Sequence, residues 1–279
     1  MTDISARIGR ALDERFGAKI AVAPDQAGAD SLARMLEHRS QRRYTPQPVG
    51  PALLKLLFAC ALSAPSKSDL QQADIVHVAD SATRTTIADL IPDNPWVRAA
   101  PVFLVFCGDN RRTRQVAELR GKPFANDHLD AFMNAAVDAG IVMATFIHAA
   151  EAVGLGCCPI SSVRNHAQTV SDLLALPDWV FPVAGLCVGY PSEAGQITAR
   201  LPLDVTVHTD RFDETGIDAK IDAYDRRRHA RQQYKKQRDV ARFGTAELYG
   251  WSEDKARQYA KPERADFGAF IRRKKFNLT

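Results

Sequence analysis

The sequence predicts an α+β protein, with helices flanking a central sheet that is mixed or antiparallel. Three observations carry this reading. Four short runs read as strands: 73–79 (ADIVHVA) alternates, 101–107 (PVFLVFC) and 182–190 (PVAGLCVGY) are apolar, and 157–160 is shorter. Helical periodicity interleaves with these runs along the chain. The helix over 127–153 is apolar on nearly every side, through Ala135, Val137, Ala139, Ile141, Val142, Met143, Phe146, Ile147 and Ala150. That is too apolar for a surface crossover, so it is placed at the centre of the molecule.

The elements follow in order. Residues 1–37 are helical, with Ile8, Leu12 and Phe16 spaced by four, a break at Ala23-Pro24, and a second helix through Leu32, Met35 and Leu36. Pro46, Pro48 and Pro51 mark a loop. Pro51 suits the opening of a helix over 52–63, whose stripe is Leu53, Leu56, Leu57 and Ala61. Pro65 ends it, and the polar run SKSD follows at 66–69. Gly154 terminates the long helix. A further helix begins at 170–174, a charged one covers 217–237, and 263–275 closes the chain. This gives an N-terminal helical extension (1–36), a core (37–205) and a basic helical C-terminal extension (206–279).

Composition narrows the class. With 279 residues, 46% hydrophobic and 25% charged, the chain has the make-up of an ordinary globular protein, which excludes disorder, collagen and a disulfide scaffold. The N-terminus has no apolar export signal. The most apolar helical stretch, 139–150, carries His148 and is too short to cross a bilayer, so no membrane segment is expected. Cys60, Cys107, Cys157, Cys158 and Cys187 are odd in number and set in apolar surroundings, which predicts buried free thiols and a cytoplasmic protein. Net charge is +4, but 219–279 holds 17 basic against 8 acidic residues and the rest sums to −5. An anionic partner and a solvated helix face explain that asymmetry equally well. Nucleic acid is the weaker partner, because acidic residues interrupt the basic run and no binding module is present.

Familiar catalytic and phosphate-binding motifs are missing: there is no P-loop, G-x-S-x-G, H-E-x-x-H or CxxC. His148 and Glu151, three apart, read as a satisfied core pair rather than a metal site. Gly154-Leu155-Gly156 follows a helix, not a strand, so it is no dinucleotide fingerprint. Cys157-Cys158 reads as two small hydrophobes entering a strand rather than a redox pair. Three polar clusters remain. His38, Arg39, Ser40 and Arg42 (HRSQRRY) offer guanidinium forks and a hydroxyl, equipment for a phosphate. Ser66, Lys67 and Ser68 offer hydroxyls and an ammonium in a loop. Arg200 stands alone in ARLP. Each in isolation is explained as well by an exposed turn.

In order and spacing these pieces resemble the FMN-dependent nitroreductase family. The carriers are HRSQR, the APSKS loop, DAGIVMATFIHAAEAVGLG, CPISSVRN, and FPVAGLCVGYPSE followed by ARLP. They run from about Glu37 to Pro202. Ala223-Tyr224-Asp225 and the tail WSEDKARQYAKPERADFGAFIRRKKF resemble the oxygen-insensitive NADPH-nitroreductase group, which has a long C-terminal extension.

The resemblance implies an interlocked homodimer with two FMN sites at its interface, central helices packed on each other, and the extension wrapping the partner and active site. It places His38, Arg39, Ser40 and Arg42 on the FMN phosphate and the polar side of the ring, with Arg200 reaching the phosphate. Ser66, Lys67 and Ser68 line the flavin from the other chain, Pro159, Ile160, Ser161 and Ser162 lie along it, Asn94 supplies an amide, and Arg264 is the substrate-side contact. The implied activity is ping-pong hydride transfer from NADPH (or NADH) to a small nitroaromatic or quinone-like acceptor, with no catalytic side chain and no metal. Arg226, Arg227, Arg228, Arg231, Lys235, Lys236, Arg238 and Arg242 are candidates for the 2′-phosphate of NADPH. The chain departs from the family pattern at Lys67, Asp69, Ser161-Ser162 and Thr198. Of these, Lys67 and Asp69 leave an activated alkene or halogenated aromatic open as acceptor.

Overall fold

The computed structural model describes residues 4–23 and 25–279. The expected helix break at Ala23-Pro24 falls partly on residue 24, outside the described residues. The chain forms two compact units. One comprises the described residues up to Arg39 together with Gln196–Glu263; the other comprises Ser40–Gly195 and Arg264–Thr279. The segments 1–36, 37–205 and 206–279 describe order along the chain, whereas the units join stretches from both ends.

The larger unit is built on four strands: β1 (Ala73–His77), β2 (Val102–Asp109), β3 (Gly156–Ile160) and β4 (Val180–Gly189). Their order is β1-β2-β4-β3 and every pairing is antiparallel, which resolves the mixed-or-antiparallel alternative. β2 is buried along its whole length. Its period-two alternation feeds two separate cores. Val102, Leu104 and Phe106 pack with Leu57, Ala139, Val142 and Phe146 on one face. Phe103, Val105 and Cys107 pack with Ile87, Val97, Val163 and Val170 on the other. A strand covered twice has no reason to alternate polar residues, which is why its sequence is uniformly apolar.

The helix Leu129–Ala152 lies against this sheet. Ala135, Ala139, Val142, Phe146 and Ala150 are buried at helical spacing, while Leu129, Met133 and Val137 on the far side are exposed. Gly108 marks the close approach: a Cβ there would lie 2.6 Å from the Phe181 ring and 3.0 Å from the Ala135 backbone. The helix is longer than the 139–150 stretch, and by length and composition it could cross a membrane. Its buried alanines serve the core instead. Pro51 opens the helix Pro51–Leu62 as the sequence indicates.

The helices Ser81–Leu90, Arg111–Leu119 and Trp251–Tyr259 were not read from the sequence, because their polar faces dilute the apolar period. Asp80 caps the first, accepting from the Thr83 amide at 2.7 Å. The charged helix ends at Arg231 and the last helix covers Phe267–Arg273, both shorter than their sequence patterns.

In the smaller unit, Ile8, Leu12 and Ala33 form a core between the helices Ile4–Phe16 and Ala29–Leu36. Two sequence-based expectations need correction. Cys60 is exposed, on the outward side of its helix, so only four of the thiols are buried. His148 is exposed too, so it lies outside the core.

Candidate functional site

In the larger unit the site is assembled where β3 ends. The segment after Arg39 is laid along the sheet margin: Ser40 bridges Cys157, Gln41 N donates to Cys157 O at 2.8 Å, and Thr45 N donates to Tyr190 O at 2.8 Å. The Tyr44 hydroxyl donates to Gln41 O at 2.5 Å. Three anchor points hold the loop that carries Arg42. Its guanidinium lies 5.2 Å from the Trp96 ring centroid, an attraction between cation and ring face.

Past β3 the chain enters a tight turn, Ser161–His166. Here the structure brings several expected residues together. Asn94 Nδ2 donates to Ser162 Oγ at 2.9 Å. Arg264, held in left-handed backbone conformation (φ 57°), donates from Nε to Asn165 Oδ1 at 2.7 Å and from Nη2 to Ser161 Oγ at 3.4 Å. At the end of β3, Pro159 is exposed and Ile160, next along the strand, is buried. Burial and, second to it, the neighbouring Arg264 charge hold Arg164 below the usual guanidinium value. Cys157 and Cys158 face the core. Burial pushes both thiols up, away from the thiolate that redox chemistry needs.

The second cluster forms a separate structure in the same unit. Asp138, 1% exposed on the central helix, accepts from Ser66 Oγ at 2.7 Å, Lys67 N at 3.1 Å and Gln72 N at 3.2 Å. Lys67 Nζ reaches Asp130 at 3.4 Å. Ser68, Asp69 and Gln71 have left-handed backbone angles of 50°, 56° and 52°, uncommon for residues with a Cβ. The buried carboxylate holds the loop in that shape. Among the described residues, no hydrogen bond joins Ser66, Lys67 or Ser68 to the groups at the end of β3. Sequence reasoning missed Asp138, although a carboxylate at the middle of a largely apolar helix, flanked by Val137 and Ala139, was a visible signal.

His38, Arg39 and Arg200 belong to the smaller unit. Arg39 Nε donates to Glu37 O at 3.0 Å, and Arg200 Nη1 reaches Thr198 O and Ala199 O, both at 3.4 Å. The basic residues of the tail do not gather into one pocket. Arg231 pairs with Asp13 at 2.8 Å and Arg238 with Asp254 at 3.0 Å. Arg227 donates to Arg200 O at 2.9 Å. Arg228 lies 4.7 Å from the Tyr234 ring centroid, and it lines a cavity of about 750 Å³ with Arg200, Tyr224, Trp251 and Lys255. Its Nε is buried without a hydrogen-bond partner. Among the described residues, no group of His, Cys, Asp and Glu is placed to hold a metal.

The chain thus combines an antiparallel four-stranded sheet with a donor-rich turn at the end of one strand, and comparison with known proteins identifies the class to which this architecture belongs. The nitroreductase family model matches residues 35–190, and the model for the family's C-terminal domain matches 199–279. The chain belongs to the nitroreductase family. It is 36% identical to the FMN reductase [NAD(P)H] of Bacillus subtilis, over 70% of this chain and 79% of that one. It is 34% identical to the oxygen-insensitive NADPH nitroreductase of Salmonella typhimurium, over 63% of this chain and 71% of that one. The solved structure of NfrA2 from B. megaterium aligns with a TM-score of 0.81 at 30% identity, covering 90% of this chain and 99% of the other.

Proposed function

We propose that this nitroreductase-family chain acts as a cytoplasmic homodimer, reducing nitroaromatic or quinone-like acceptors with electrons from NADPH or NADH through FMN. It is an NAD(P)H-dependent flavin oxidoreductase, as its relatives are. The observation that carries the site assignment is the pairing of Asn94 with Ser162, beside Arg264 with Ser161, at the end of β3.

The donor set fits FMN. Neutral amide and hydroxyl groups beside Arg42 and Arg264 suit the acceptor-rich edge of an isoalloxazine ring. Cationic forks at Arg39 and Arg200 suit a phosphate. The chemistry FMN supplies when bound is a two-electron relay from the nicotinamide hydride to the acceptor. The protein's part is binding and orientation. In this reading His38, Arg39, Ser40, Arg42 and Arg200 hold the phosphate and polar edge, Asn94 is fixed by Ser162, and Pro159 and Ile160 flank the ring. Ser66, Lys67 and Ser68 serve the flavin of the second copy, their loop being held on Asp138 rather than on the β3 turn. Arg264 orients the nicotinamide or acceptor. Residues 37–205 form the FMN-binding core, with 1–36 and 206–279 as extensions. Arg228, facing its cavity, is the best placed of the tail residues to meet the NADPH 2′-phosphate.

Purified protein carries this reading if it is yellow with near-equimolar FMN, bleaches anaerobically with NADPH, and regains colour when a nitroaromatic or quinone is added. A colourless chain that takes up no FMN overturns it. Equal kcat/KM for NADH and NADPH overturns the 2′-phosphate role of the tail.

A further inference from the structure

Residues 1–34 lie outside both family matches, yet the helix Ile4–Phe16 is bonded to the backbone beside His38, Arg39 and Arg200, all in the same unit. The link is Arg15, only 6% exposed in the last turn of that helix. Its Nη2 donates to His38 O at 2.5 Å, its Nε to Leu36 O at 3.0 Å and its Nη1 to Thr198 O at 3.3 Å. Its own carbonyl accepts from Arg200 N at 2.7 Å. One residue thus fixes the peptide before Arg39, the carbonyl two residues before Arg200, and the amide of Arg200 itself. A guanidinium presents five N–H donors in a rigid fork, so it can satisfy three carbonyls from one position; an ammonium on a flexible stem cannot hold the same geometry.

The end of the helix is pinned as well. Asp13 accepts from Arg231 at 2.8 Å through both its carboxylate and its carbonyl. Gly17 turns out of the helix with φ 65°, and a Cβ there would lie 2.8 Å from Arg227 Cδ.

We propose that Arg15 is a positioning residue for the phosphate end of the FMN site: it sets the backbone from which Arg39 and Arg200 present their guanidinium groups. It does not itself touch the flavin. The inference rests on the assignment of Arg39 and Arg200 to the FMN phosphate.

The test uses the difference between FMN and riboflavin, which share the ring and differ by the phosphate. Flavin-free full-length protein is titrated with each, following flavin fluorescence. Wild type should prefer FMN. Arg15→Met should lower FMN affinity about tenfold or more, the scale of lost charged hydrogen bonds, with riboflavin affinity unchanged. Arg15→Lys should fall between. Arg7→Ala breaks the pairing of the same helix with Glu37 (2.6 Å), and it should leave the FMN-to-riboflavin ratio as in wild type. An unchanged ratio in Arg15→Met, a parallel loss of both flavins, or an equal collapse in Arg7→Ala overturns the proposal. Should Arg15→Met fail to fold, Arg15→Lys is read by the same ratio, and an unchanged ratio there overturns it too. Wild type that binds flavin but ignores the phosphate removes this inference alone; wild type that binds neither flavin removes the functional reading with it.

Discussion

At the scale of single residues, the contact between Asn94 and Ser162 is the most direct handle on the site. Asn94→Ala and Ser162→Ala should each weaken FMN binding. Because the two share one hydrogen bond, the double variant should lose less than the sum of the singles; titration of all four proteins measures the coupling. Asp109 offers a second residue-scale test. Burial pushes its carboxyl up to about 6, helped by the hydrogen bond and charge of Asp74 and opposed by Arg112. The folded chain therefore holds this proton more tightly than the unfolded chain, whose aspartate titrates near about 4. The resulting stabilisation is complete below that value and disappears as pH rises through about 6. Asp109→Asn stays neutral throughout, so its stability relative to wild type should rise between about pH 4 and pH 7. Urea midpoints of both proteins across that range measure it, and a flat difference would count against the shift.

At the scale of elements, the helix Trp251–Tyr259 depends on a residue far from it in sequence. Asp225 accepts from Trp251 N at 2.7 Å and Ser252 N at 3.1 Å, and also bonds the Ser252 hydroxyl, so it does the work of an N-cap from another helix. Asp225→Ala should lower stability by about 1–2 kcal/mol, the range of lost caps. Gly250→Ala should act in the same direction, since its Cβ would collide with the Asp225 carboxylate. Thermal unfolding reads both. The cap is thus remote in sequence, and the residue before the helix, Gly250, supplies no side-chain cap. Where a signal was local, the sequence sufficed. Pro51 opens a helix, left-handed Gly154 follows another, and unbroken apolar runs mark the doubly covered strands.

At the scale of the whole molecule, exposed apolar side chains sit on two helices that also feed the core. Leu56 and Leu62 are 58% and 57% exposed, and Met133 and Val137 are 55% and 43% exposed. Such a display suits an interface between copies. The proposed dimer should sediment at twice the chain mass, and Met133→Glu should shift it toward monomer and release flavin together. Loss of dimer with full flavin retention would separate the interface from the site.

The sequence by itself determined the α+β class, the four strands, the central helix, and the polar stretches around Arg39, Ser66, Ser161 and Arg200, because periodicity and residue chemistry are local properties. It placed Asn94 and Arg264 by resemblance alone. Tertiary structure decided the partners: Asn94 with Ser162, Arg264 with Ser161, the Ser66 loop on Asp138, and the backbone at His38 and Thr198 on Arg15. These contacts span dozens to more than a hundred residues of chain. No local pattern encodes such a distance; only packing two buried faces together chooses which polar groups meet.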